Sequence, residues 1–296
     1  MASRSNLAVA NDTTSESEEL HRKLAVWNRM RLEPTFDGVC WEQRMKQELS
    51  LRTLEGHFIE TERVGLLHDA LVAPEDADGF VRWFETLTAT GPGQNDPLFA
   101  YLATRATLSE MKWFLAQEVS GEAGFDDLVA LTQVKLPVVA KLELARNYWD
   151  EMGQGRREAM HGPMLAHLAR SLELATGDTV WESLALGNLM VGLAANRHYA
   201  YQSIGALGVV ELTAPGRAEK VNAGLKRLGV AGDVRRYFAL HATLDVRHSE
   251  TWNREVLRPL VAANPRVARP IAEGALMRLT AGARCFERYR FELGVA

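Results

Sequence analysis

Cysteine is nearly missing from this 296-residue chain: Cys40 and Cys285 are the only two, far apart and outside any C-x-x-C arrangement. That excludes a disulfide scaffold and a thiolate-built metal site, and the expectation is two free thiols in a cytoplasmic protein. A charge excess is missing too. The 34 Lys and Arg against 38 Asp and Glu leave a net charge of -4, without the basic stripe that neutralises phosphates, so no nucleic acid partner is expected. Long apolar runs are absent. The most hydrophobic stretch, 184–195, is interrupted by Gly187, Asn188 and Gly192, and it is far shorter than the roughly 20 residues a bilayer demands, so no membrane partner is expected. The first residues carry no sustained apolar core. They read as a polar, disordered segment over 1–16 and not as a secretory signal.

Runs of alternating β-branched residues are also lacking, whereas Leu, Ala, Arg and Glu recur with helical periodicity from Ser17 to the end. The expected class is all-α. With 47% hydrophobic residues the chain can bury a full core. Helices are expected near 17–32, 38–71, 75–88, 108–119, 135–152, 156–174, 178–211, 214–228, 232–262 and 266–292. Gly56 is a candidate break in the second, and Gly187, Gly192, Gly205 or Gly208 in the seventh. The turn-rich stretch 88–97 is the best internal boundary. It separates a helical extension over 17–97 from a bundle over 98–296, which holds about seven helices and every candidate ligand.

What is present is most informative at His241, Asp245 and His248. At about 100° per residue, positions i, i+4 and i+7 fall within roughly 60° of one another, so one helical face presents two imidazoles and a carboxylate. A solvated stripe has the same spacing; further donors on other helices favour a metal. Glu211 ends a small-residue apolar segment and is costly to bury unless paired, protonated or metal-bound, although a helix end before Pro215 and Gly216 would let it leave the core. Gly153 and Gly155 should end one helix after Glu151 and start the next, with His161 about a turn and a half into it, so that these two converge. Glu118 closes an aromatic, apolar helix and is the favoured upstream donor. Glu122 competes, one turn on, although Gly121 and Gly124 suggest a loop there. Glu118, Glu151, Glu211 and Asp245 balance two divalent ions, and the mixture with neutral His161, His241 and His248 suits iron or manganese better than zinc.

Gln117-Glu118, Asn147-Tyr-Trp-Asp-Glu-Met-Gly-x-Gly with His161, Glu211, and His241-x3-Asp245-x2-His248 resemble the heme-oxygenase-like diiron oxidases, also called iron-containing redox enzymes, over roughly 98–262. The resemblance implies a seven-helix, heme-oxygenase-like bundle without heme. It also implies two labile iron ions held by Glu118, His161, Glu211, His241, Asp245 and His248. Glu151, ten residues before His161, matches an additional glutamate of the N-oxygenase members and is expected to act catalytically as a seventh ligand that steadies oxidised iron.

The leading expectation is therefore a diiron N-oxygenase that uses O2 to convert a small amine or amino-acid-derived nitrogen to a hydroxylamine, nitroso or nitro product. Electrons must come from a partner protein or small molecule, since no ferredoxin, flavin or nicotinamide motif appears. A homodimer is expected, with the extension as a dimer face. Oxidative C–C cleavage or desaturation of an amino acid or fatty acid is the first alternative; Arg197, Tyr199, Tyr201 and Gln202 are possible substrate contacts. A non-enzymatic helical interaction protein is the second.

Overall fold

The computed structural model describes residues 2–34, 40–175 and 177–296, with side chains described from Ser15 onward. Among the described residues there are helices and turns but no strand. The helices are α1 (Ala2–Leu32), α2 (Trp41–Gly65), α3 (Leu67–Ala70), α4 (Ala77–Thr90), α5 (Pro97–Thr104), α6 (Leu108–Gly121) and α7 (Phe125–Thr132). They continue with α8 (Val138–Glu151), α9 (His161–Ser171), α10 (Trp181–Ala195), α11 (Ala200–Arg227), α12 (Arg236–Trp252), α13 (Arg258–Ala263) and α14 (Ala268–Leu293). None is long and apolar enough to cross a membrane.

Several boundaries differ from the sequence reading, each for a local reason. Residues 2–16 lie within α1, since neither glycine nor proline interrupts the chain between Ala2 and Glu33. The start expected at residue 38 lies outside the described residues, and α2 runs through Gly56 unbroken. Two eight-residue helices, α5 and α7, are too short to show a helical period. Asp96 caps α5 by accepting from the backbone N–H of Leu98 at 2.9 Å, and Pro97 occupies its first turn, where a missing N–H costs nothing. The break expected at a glycine between 178 and 211 falls at Asn196. Its extended backbone ends α10, and its side chain donates to the carbonyl of Gly192 at 2.7 Å and to Glu55 at 2.8 Å. Gly187 and Gly192 instead admit close neighbours, Gly121 and Ile59.

The most consequential difference is α11, which continues through Pro215 and Gly216 to Arg227. Glu211 therefore sits inside a buried helix and not at an end from which it could reach solvent. Pro215 has no N–H to donate to the carbonyl of Glu211 one turn earlier, and the helix accommodates that single lost bond.

The core consists of two buried clusters. One joins Leu24, Phe58 and Phe84 of the N-terminal helices to Leu189, Leu207 and Ile271 of α10, α11 and α14. The other joins Phe99, Phe114, Phe286 and Tyr289 with α11 residues such as Val221. Helix α11 is central and packs on both α12 and α14. Its approach to α14 is possible because Gly205 faces the carbonyl of Ile271, and Gly274 faces that of Gln202, with no room for a Cβ at either glycine.

Candidate metal centre

Four helices direct polar side chains into the space beside α11. The α12 triad lies as its spacing requires, with Asp245 and His248 buried and His241 half-buried at a cavity wall. Glu151 is the last residue of α8. Beyond it, two 3-10 turns reverse the chain, with Gly153, Gln154 and Gly155 all at positive φ. A side chain at Gly153 would collide with the backbone of Ala159 and Met160. His161 is consequently the first residue of α9, not one a turn and a half into it, and the reversal brings its Nδ1 to 2.6 Å from Glu151 Oε2.

Two groups of ligand-capable atoms result, each within a 4.8 Å span: Glu151, His161 and His241 form one, and Glu151, Glu211 and His248 the other. Glu151 belongs to both. Asp245 is buried against them, 2% exposed, with Oδ1 lacking any hydrogen-bond partner. Glu118 and Glu122 line the same cavity and join neither group. Glu122 is the nearer electrostatically, since its charge acts on Glu151 and is the leading charge on Tyr237. Glu118 is set among Arg278, Arg217 and Tyr289. Glu118 is half-buried and Glu122 exposed, yet both line the cavity, and desolvation raises the pKa of each.

The electrostatics are those of a site short of positive charge. Burial, followed by the facing Glu211, pushes the Glu151 carboxyl well above its ordinary range. Burial with the charges of Glu211 and Glu151 does the same to Asp245. Burial holds His161 down to about 4, and burial together with His161 holds His241 down to about 4. These imidazoles are neutral at physiological pH and have lone pairs to offer. The Nδ1 of His241 faces the carbonyl oxygen of Tyr237 at 2.7 Å, which assigns the proton to Nδ1 and frees Nε2. Both nitrogens of His161 lack a hydrogen-bond partner, because the short approach of Glu151 is not aligned for one. His248 behaves differently. Burial alone would lower it, but the hydrogen bond and charge of Glu211, then the bond to Asp150, carry it to about 9.

Orphaned imidazole nitrogens, an orphaned carboxylate oxygen and three converging buried carboxylates are what divalent cations satisfy, so the donor set fits the pair of ions implied by the sequence. A family model described as "Iron-containing redox enzyme" matches residues 112–283, more than half of the chain. The chain belongs to the iron-containing redox enzyme family. Among solved structures, a CADD-like protein from Nostoc punctiforme is similar at TM-score 0.58 and 17% identity, over 73% of this chain and 97% of that one. A domain with a heme oxygenase-like fold from Shewanella denitrificans is similar at TM-score 0.54 and 15% identity, over 72% and 90% respectively. The fold of this iron-containing redox enzyme is thus heme-oxygenase-like. Among curated proteins, none matches.

Sequence reasoning missed the supporting residues of the centre. Asn147 donates to Glu211 at 2.6 Å and lies 3.3 Å from His248 Nδ1, while Asp150 lies 3.2 Å from His248 Nε2. Their positions, four and one residues before Glu151 on α8, were the available signal. Arg217 and Arg278, which line the cavity, stand on apolar helices with nothing in their spacing to mark them. The proposed substrate contacts are elsewhere. Arg197 donates to the carbonyls of Leu131 and Thr132, Tyr199 to Glu60, and Gln202 to Glu273; these three and Tyr201 are absent from the cavity wall.

Proposed function

We propose that this iron-containing redox enzyme is a diiron oxygenase that N-oxygenates a small amine or amino-acid-derived nitrogen. The observation that carries the reading is the membership of Glu151 in both ligand groups, so that its carboxylate could serve either ion. Glu151, His161 and His241 would hold one iron, and Glu151, Glu211 and His248 the other, with Asp245 beside them. Glu118 and Glu122 compete for any remaining position. Bound iron would supply O2 activation.

The protein's own contribution is orientation and exclusion of water. Glu151, Glu211, His241 and Asp245 line a cavity of about 160 Å³ together with the apolar Phe125, Leu186, Phe238 and Phe286. Asn147 holds Glu211 in place, and Asp150 fixes the His248 ring. Burial keeps the Tyr237 hydroxyl protonated in the same cavity, where it can donate to a substrate.

The first oxidation balances as R-NH2 + O2 + 2 e⁻ + 2 H⁺ → R-NHOH + H2O, so an external reductant, protein or small molecule, is required. Further rounds would give nitroso or nitro products. Oxidative C–C cleavage or desaturation would employ the same ligands, and the additional carboxylate Glu151 is what favours nitrogen. We also expect a cytoplasmic homodimer, with Val26, Met30, Trp41 and Leu49 as the exposed apolar surface available for it.

The test is the mass of products formed from a panel of amines and amino acids with Fe(II), reductant and isotopically labelled O2. Labelled oxygen on nitrogen is the expected result. Labelled carbon fragments, or an unsaturated product without label, would overturn nitrogen oxidation.

A further inference from the structure

The cavity lined by Glu151, Glu211, His241 and Asp245 also carries two arginines that belong to neither ligand group. Arg278, on α14, has no hydrogen bond and no ion pair with any described residue, although it lies deep in the protein and lines the cavity. Its Nη1 occupies space left open by Gly282 one turn later, where a Cβ would come within 2.8 Å. Arg217, on α11, donates one hydrogen bond, to Thr213 Oγ1 at 3.0 Å, and stands 5.6 Å over the ring of Phe286. A guanidinium has five N–H donors in a planar fork, so most of the donors of this pair are unspent.

Burial disfavours both cations: burial, then Arg278, draws Arg217 down to about 10, and burial lowers Arg278 as well. Glu118 offsets part of this charge, and its own pKa is raised by burial. Two guanidiniums lining one cavity, with Glu118 the carboxyl that acts on both and no hydrogen bond from either to it, leave donors free for an anion.

We propose that Arg278 and Arg217 bind the carboxylate of the substrate, which makes the substrate a small amino acid whose nitrogen is presented to Glu151, Asp245 and His241. The inference rests on the proposed function for which end reacts, and on the cavity alone for which end is anchored. A planar carboxylate matches the guanidinium fork in bidentate fashion. The volume, about 160 Å³, is below the range of about 300–1,000 Å³ typical of drug-sized ligands, which suits a short amino acid and not a long acyl chain.

The experiment measures binding, not turnover. Melting temperature and calorimetric affinity of the wild-type protein, metal-free and loaded anaerobically with Fe(II), are recorded with the twenty standard L-amino acids, their decarboxylated amines and inorganic phosphate. At least one amino acid should raise the melting temperature while its decarboxylated amine binds at least tenfold more weakly. Arg278→Gln should weaken that amino acid at least tenfold with iron content unchanged, and Arg278→Lys should recover part of the loss. An amine binding as well as its parent amino acid, phosphate binding more tightly than every amino acid, or no amino acid binding at all would each overturn the proposal, as would unchanged affinity in both Arg278→Gln and Arg217→Gln. Carboxylate-dependent binding by a protein that takes up no iron would retain the anchor and overturn the proposed function instead.

Discussion

At the level of single residues, the centre is defined by which groups lack partners. Replacing Glu151 with Gln removes a buried carboxyl group whose ionisation burial and Glu211 both oppose. The metal-free variant should be at least as stable as wild type, with a gain of up to about 2 kcal/mol, the range of a single stabilising substitution. With iron present the order should reverse, and paired thermal melts with and without Fe(II) check both signs. Asn147→Leu leaves Glu211 and His248 without their shared amide, so iron affinity should fall by about 10–100-fold in a binding titration while the helical content is kept. Much of this was legible from sequence. Spacing placed His241, Asp245 and His248 on one face, and Glu211 stood out as a carboxylate within apolar surroundings. Asn147 and Asp150 carried less signal, because an amide and an aspartate near a helix end are ordinary surface residues until α12 packs on α8. The choice between Glu118 and Glu122 depends on the path of the chain through Gly121 and Gly124, which periodicity does not describe.

At the level of helices, the site depends on close approaches that small residues allow. Gly205→Ala or Gly274→Ala would force α11 from α14 and should cost at least about 1–3 kcal/mol, the range for overpacking a filled core, in denaturant unfolding. Since α11 carries Glu211, iron uptake should weaken as well. Helix α1 is joined to α10 by Asn188, whose Nδ2 donates to the His21 carbonyl at 2.9 Å and whose Oδ1 accepts from Asn28 Nδ2 at 2.9 Å. His21 stacks on Trp181 and meets the edge of Phe58. Burial, then the charge of Arg284, lowers His21 from 6.5 to about 4. Its unfolded form therefore binds a proton first as pH falls, and stability should decline between those two values by up to about 3 kcal/mol. Urea unfolding of metal-free protein from pH 7 to pH 4 measures the slope, and His21→Leu should lessen it, leaving the share of His161 and His241. Helix identity was read well for the long elements, where the 3.6-residue period accumulates. It failed for α5 and α7, which are too short to repeat, and at 196 and 215, where Asn196 ends a helix through its side chain and Pro215 does not end one.

At the level of the whole molecule, the heme-oxygenase-like bundle brings Glu151, Glu211, His241 and Asp245 to one small cavity together with Arg217 and Arg278. Neither set is complete without α11, which supplies both Glu211 and Arg217. The extension α1–α4 contributes Leu24, Phe58 and Phe84 to the principal core, so the ligand helices are braced from behind. Two metal positions that share the Glu151 carboxylate would both be lost with it, which anaerobic Fe(II) titration of wild type, His161→Ala and Glu151→Ala measures. Two irons per wild-type chain, loss of one in His161→Ala and loss of both tight positions in Glu151→Ala are expected. Two tightly bound irons remaining in Glu151→Ala, or a single iron in wild type, would contradict that sharing.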